Sequence, residues 1–108
     1  MQVTETQTTT GLSRLERLIR LYEMGHASSY LDRVLDKVFA QQATDDEALV
    51  KQLRAELNEF EAKYEMDSAS FYAKFRTGEM GDAMDFMEWA SIYDMHEGAV
   101  QRLSVLKS

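Results

Sequence analysis

The chain of 108 residues contains no cysteine and no proline. Without cysteine it can form neither a disulfide nor a metal site with thiolate ligands. Without proline it lacks the main residue that breaks a helix interior, so helices can continue until a glycine ends them. No apolar run approaches the ~18 residues that a membrane span needs, and the N-terminus has no apolar signal-peptide core. We therefore expect a cytoplasmic protein of bacterial type.

Sequence motifs of catalysis are missing as well. There is no phosphate-binding glycine loop, no nucleophile elbow and no cysteine nucleophile. Asp82, Asp85 and Glu88 follow one another at three-residue steps, but no Glu-x-x-His pair accompanies them, and acids are common in the first turn of a helix. His26 and His96 have no second ligand at a spacing typical of zinc. We expect a protein that is not an enzyme and that uses no metal and no cofactor.

The net charge of −7 is unevenly distributed along the chain. Residues 1–42 carry five basic and five acidic side chains, whereas residues 43–97 carry five basic and fourteen acidic ones. An acidic half disfavours contact with nucleic-acid phosphates and favours a basic protein partner. The alternative is that the acids only keep a helical protein in solution.

The first ten residues, MQVTETQTTT, are polar and lack helical periodicity. We expect a disordered tail over residues 1–10 and a single helical domain over residues 11–108. From Leu12 to Tyr22 apolar residues recur at helical spacing, and Gly25 is expected to end this first helix.

A heptad-like apolar seam predicts a long second helix. Its members recur at steps of four and three: Phe39, Ala43, Asp46, Val50, Leu53, Leu57, Phe60 and Tyr64. Only Asp46 is polar. The sequence around Thr44 fits a capping box, which would start a new helix there. The unbroken phase of the seam instead favours one helix over about residues 29–64, with a bend near Thr44 left open.

A helix of that length needs another element along it, and the C-terminal segment is the candidate. A short helix carrying Phe71 and Phe75 should end at Gly78, and Gly78 and Gly81 should form a tight turn. Asp82 is then expected to cap the last helix, with Asp85 in its first turn. The predicted fold is all-α: the long helix and the C-terminal helix form an antiparallel, coiled-coil-like hairpin, with short N-terminal and linking helices.

The last helix carries more apolar surface than one hairpin can bury, because a packed stripe spans ~100° or little more. One face should anchor the helix in the core, together with Phe71 and Phe75: Phe86, Trp89 and Tyr93. A second face is the candidate partner-binding surface: Met84, Glu88, Ile92 and Met95, with the nearby acids Asp82 and Asp85. Such methionine-rich faces are commonly core, but they also occur on surfaces that receive a partner. The first helix, a second copy or another protein could cover this face.

The run LNEFEAKYEMDSASFYAKFRTGEMGDAMDFMEWASIYDM, residues 57–95, resembles a group of small helical bacterial proteins with the motif FYxxFxxGExGD…DFxEWASxYxM. The resemblance extends over about residues 15–106. Several proteins of this group look like antitoxins encoded beside a small toxin. The resemblance singles out these positions: Phe71, Phe75, Gly78, Gly81, Asp82, Phe86, Glu88, Trp89 and Tyr93.

These observations lead to one principal functional expectation and two alternatives. We expect a non-enzymatic antitoxin that binds and neutralises a small basic toxin. The first alternative is a structural homodimer in which the seam and the last helix pair between copies. The second is a DNA-binding autoregulator that uses residues 12–42, with residues 1–10 as the strand of a ribbon-helix-helix motif. We expect no membrane partner.

Overall fold

The computed structural model describes the backbone of residues 2–26 and 28–108, and the side chains of residues 10–26 and 28–108. These residues form helices without any strand, in the order α1 (Gln2–Glu23), α2 (Ser29–Tyr64), α3 (Ser68–Arg76) and α4 (Met84–Leu106). The predicted all-α fold is confirmed. The chain divides into two compact units, which we call the N-terminal unit (Met1–Lys37) and the C-terminal unit (Val38–Ser108).

The backbone of α1 is helical from Gln2. The helix therefore includes most of the segment for which the sequence suggests a disordered tail. The side chains of residues 1–9 lie outside the described residues, and disorder at 1–10 stays a prediction. A helical backbone does not provide the extended strand that a ribbon-helix-helix motif requires.

Helix α2 runs through Thr44 without interruption, as the phase of the seam predicts. The Thr44 hydroxyl does not cap a new helix. It donates a hydrogen bond of 3.0 Å to the carbonyl of Ala40, one turn earlier in the same helix. At its start α2 has a cap, because the Ser28 hydroxyl accepts a hydrogen bond from the Leu31 amide.

Three helices end with a residue in the left-handed region, in the hydrogen-bonding pattern of a Schellman motif. Gly25 and Gly78 serve this role after α1 and α3, with φ of 77° and 83°. After α2 the left-handed residue is instead Glu65, which has a side chain and a φ of 52°. The Met66 amide then donates a hydrogen bond to the Glu61 carbonyl, five residues earlier in the chain. This hydrogen bond closes the last turn of the helix.

The start of α4 differs from the prediction by one residue. Its N-cap is Ala83, not Asp82, and the cap forms no side-chain hydrogen bond. The amides of Phe86 and Met87 donate to the Ala83 carbonyl, so the first turn is closed by backbone alone. Asp85 lies in that first turn, as expected.

Within the C-terminal unit, α2 and α4 pack as an antiparallel hairpin. Near one end Asp46 of α2 pairs with Arg102 of α4, and near the other Tyr64 pairs with Asp85. Residue numbers therefore increase along α2 in the direction in which they decrease along α4, as in an antiparallel pair. The hydrophobic core lies between α2, α3 and α4: Leu53, Leu57, Phe71, Trp89, Ala90 and Ile92. The seam residues from Ala43 to Tyr64 are therefore buried or half-buried within one chain, whereas Phe39 is 47% exposed. Less of the seam is left for a second copy.

Within the N-terminal unit, α1 and the first turns of α2 form a hairpin. The Tyr22 hydroxyl donates a hydrogen bond of 2.7 Å to Asp32. Apolar side chains from both helices are half-buried: Leu18, Tyr22, Leu31 and Leu35. No described residue of this unit is fully buried. In the described part of the chain, no helix is both long enough and apolar enough to cross a membrane.

Candidate partner-binding surface

Trp89 fixes the rotation of α4 against the other two helices of the C-terminal unit. It is 0% exposed. Its indole stacks on the Phe71 ring at a centroid distance of 3.8 Å, and Phe60 and Tyr64 of α2 stack at 5.5 and 5.7 Å. Offset aromatic pairs of this kind contribute ~0.5–1.5 kcal/mol each beyond the area they bury. Because α2 and α3 both supply partners, α4 has little freedom to rotate.

A chain of hydrogen bonds also links α4 through α3 to α2. The Trp89 indole N–H donates to the Ser68 hydroxyl at 2.9 Å, and that hydroxyl donates to the Glu61 carboxylate at 2.7 Å. Arg54 closes the chain with an ion pair of 2.7 Å to Glu61. Every buried side-chain nitrogen and oxygen among the described residues has a partner, so the network is satisfied and rigid rather than awaiting a ligand.

The same network sets the charge of Glu61. Partial burial raises the pKa of its carboxyl, but the hydrogen bonds from Ser68 and Arg54 outweigh burial, and the net pKa is lowered. Glu61 is therefore a carboxylate at neutral pH, as an acceptor of three donors must be.

Asp85 is engaged inside the protein. Lys63 donates to its carboxylate at 2.7 Å, and the Tyr64 hydroxyl donates to the same oxygen. These two hydrogen bonds lower the pKa of Asp85. Asp85 thus ties the start of α4 to the end of α2, and it is less available to a partner than the sequence suggests.

The remaining predicted anchor residues line the edge of the core. Phe75, Phe86 and Tyr93 are half-buried and pack against it. Phe86 approaches Tyr64 edge-on at 5.1 Å, and Tyr93 lies 4.8 Å from the ring of Tyr72.

The face of α4 turned away from the core is rich in methionine. Met84 is 84% exposed, and Met87 and Met95 are about half exposed. Glu88 is also exposed, and it forms no ion pair or hydrogen bond within the described residues. Met84, Glu88 and Met95 share one side of the helix by their spacing of four and seven, with Met87 beside them. We call these four residues the methionine face.

One predicted member of the surface, Ile92, is placed differently. Ile92 is 6% exposed and belongs to the core, so it is not available to a partner. Met87, which is not among the residues predicted from the sequence, is exposed beside the face instead. The turn before α4 exposes Gly78, Gly81 and Asp82, with φ of 76° at Gly81. A residue with a side chain would be strained at either glycine.

At the other end of the α2–α4 hairpin, a buried carboxylate pairs with an arginine whose side chain is 53% exposed, a contact that the sequence only hints at. Asp46 is 6% exposed. Arg102 donates to both of its carboxylate oxygens at 3.0–3.2 Å. The odd polar position in the apolar seam is the signal for such a partner. A cavity of about 220 Å³ beside the pair is lined by Gln42, Val105 and Leu106, smaller than the ~300–1,000 Å³ of most small-molecule sites.

The chemistry of the described residues gives no sign of a metal centre, because no three His, Cys, Asp or Glu side chains lie close enough to share an ion. His96 is nearly buried, and its Nδ1 lies 2.9 Å from the neighbouring Glu97 carboxylate. No protein-family model, no curated protein and no solved structure matches the chain. What the methionine face can bind must follow from its own exposure and charge.

Proposed function

We propose that this chain is a non-enzymatic cytoplasmic binding protein, the antitoxin of a toxin–antitoxin pair, and that its methionine face binds and masks a small basic toxin. The observation that carries the proposal is the methionine face itself: exposed methionines beside an unpaired Glu88, on a helix held by a fully buried Trp89. Methionine is flexible and polarizable, which suits a surface that adapts to a partner.

Charge supports a basic partner. Residues 38–108 contain fourteen acidic and seven basic side chains, so the whole net charge of the chain lies in the C-terminal unit. A basic protein would be attracted to this unit before contact. Glu88 would supply a carboxylate at the centre of the apolar face. The resemblance of residues 57–95 to antitoxin-like proteins supports the same function.

Coexpression with the product of the adjacent gene tests the proposal. We expect that product to arrest growth when expressed alone, and the present chain to relieve the arrest and to copurify with it. A neighbouring product that is harmless and does not copurify would overturn the proposal.

A matched pair of charge reversals tests the surface. Glu88→Arg places a cation on the methionine face and should abolish both relief of growth and copurification. Glu59→Arg makes the same change in net charge at an exposed position of α2 and should leave both intact. Near-ultraviolet circular dichroism of Trp89 should show that both variants are folded. If the two variants weaken binding equally, net charge rather than this face attracts the partner.

A further inference from the structure

The N-terminal unit exposes apolar side chains in ordered stripes. On α1, Leu12, Leu15 and Ile19 are all more than half exposed, with Ile19 at 56%. Their spacing of three and four places them on one side of the helix. On α2, Tyr30 and Val34 are exposed at a spacing of four. Each helix of this hairpin therefore has an apolar stripe in contact with solvent.

These stripes are additional to the side chains that close the hairpin. Among the described residues of the unit, the half-buried side chains are those of Leu18 and Tyr22 on α1 and of Leu31 and Leu35 on α2. Two helices in contact through a few half-buried residues are marginal, because most helix stability in proteins comes from burial of an apolar face. Scattered apolar residues on a surface need no explanation, but aligned stripes mark an interaction site.

The charge of the unit selects its partner. Residues 1–37 carry five basic and five acidic side chains. A neutral surface with both signs can pair with its own copy without net repulsion, and its Arg residues can meet the Asp residues of the other copy. A basic toxin would gain no net electrostatic attraction from this unit, because its five basic side chains offset its five acidic ones. The C-terminal unit, with the whole negative charge of the chain, would repel its own copy.

We propose that the N-terminal hairpins of two chains associate about a two-fold axis, so that the exposed stripes of α1 and α2 are buried in a four-helix bundle. The N-terminal unit makes the protein a dimer, and the C-terminal unit remains free to bind the basic partner. This inference stands apart from the proposed function, since it concerns another surface and needs no toxin.

Sedimentation equilibrium of the full chain alone tests the dimer. We expect twice the monomer mass of 12.4 kDa. Ile19→Asp and Val34→Asp each bury a charge in the proposed interface and should reduce the mass to that of the monomer. Ile19→Leu keeps an apolar side chain of similar volume and should retain the double mass.

Val105→Asp provides the matched control. It makes the same kind of change at an exposed apolar residue of α4 and should leave the dimer intact. Fluorescence of Trp89 reports whether the C-terminal unit is folded in each variant. A monomeric wild-type chain, a dimer that survives both Asp substitutions in the hairpin, or a dimer lost in Val105→Asp would each overturn the proposal, as would disordered aggregation in place of a defined mass.

Discussion

The C-terminal unit buries Leu57, Phe71 and Trp89 completely, whereas no described residue of the N-terminal unit reaches that degree of burial. Both units are built from amphipathic helices with similar apolar spacing, so the pattern alone does not separate them. Burial of apolar area stabilises by ~25 cal/mol per Å². The C-terminal unit obtains this stabilisation within one chain. The N-terminal hairpin buries less apolar area by itself, and in the proposed dimer it obtains the rest from the second copy.

The strongest test of this difference replaces one aromatic residue in each unit by alanine. Trp89→Ala removes the central stack and leaves a cavity, which should cost ~3–5 kcal/mol, a large part of the stability of a small domain. Tyr30→Ala removes an exposed ring and should change the unfolding free energy of the C-terminal unit by no more than about 0.5 kcal/mol. Urea unfolding followed by near-ultraviolet circular dichroism measures both, and equal losses would contradict the comparison.

The ion pair between the buried Asp46 and the half-exposed Arg102 gives the next largest effect. Arg102→Met leaves Asp46 buried without its cation and should destabilise by ~1–3 kcal/mol. Adding Asp46→Leu removes the unpaired charge, so the double variant should recover most of the loss. Chemical denaturation of the four proteins of this cycle provides the coupling energy. Independent, additive effects would show that the pair does not hold α2 to α4.

Acid should weaken the C-terminal unit through Glu61. Because its folded pKa is lowered, the carboxylate stabilises the fold fully above the unfolded pKa near 4.5, and this stabilisation is lost as the pH falls from there through the folded pKa. Glu61→Gln should cost ~1–2 kcal/mol at pH 7 and progressively less as the pH falls below 4.5. Glu59→Gln, at an exposed site of the same helix, serves as control and should cost no more than about 0.5 kcal/mol at pH 7.

The smallest effect concerns the end of α2. Glu65 has a φ of 52°, a conformation that favours glycine. Glu65→Gly should relieve strain of ~1 kcal/mol and lose part of this gain to the greater freedom of the unfolded chain. The net result is a stabilisation of a few tenths of a kcal/mol, measurable as a raised Tm, while Glu65→Ala should show none of it. A lower Tm for the glycine variant would contradict this account.

The sequence predicted the long helix well because its signal is local and repeated. The apolar residues of the seam keep their steps of three and four on both sides of Thr44. This repeated spacing is stronger evidence for one helix than a single capping-box sequence is for two. The start of α4 was less accessible, because a helix boundary shifts by a residue when backbone geometry, rather than a side chain, supplies the cap. The structure accordingly has Ala83 as the cap where Asp82 was predicted.

The composition of the candidate surface depended on tertiary contacts that the sequence does not contain. Ile92 lies at the border between the two faces of α4, and only its packing in the structure shows that it belongs to the buried face. Arg102 is separated from Asp46 by 56 positions, so no local spacing could pair them. Helical spacing alone places Met84, Glu88 and Met95 on one side of α4, but their exposure, and that of Met87 beside them, is seen only in the structure.

Hydrogen exchange measured over a wide range of protein concentration tests the central distinction between the two units most directly. The core of the C-terminal unit is completed within one chain, so amides of α4 around Trp89 should be equally protected at all concentrations. Amides of α1 around Ile19 should be protected at high concentration and lose protection on dilution, because their apolar stripe is covered only in the dimer. Protection of α1 that equals that of α4 and does not change on dilution would contradict the account.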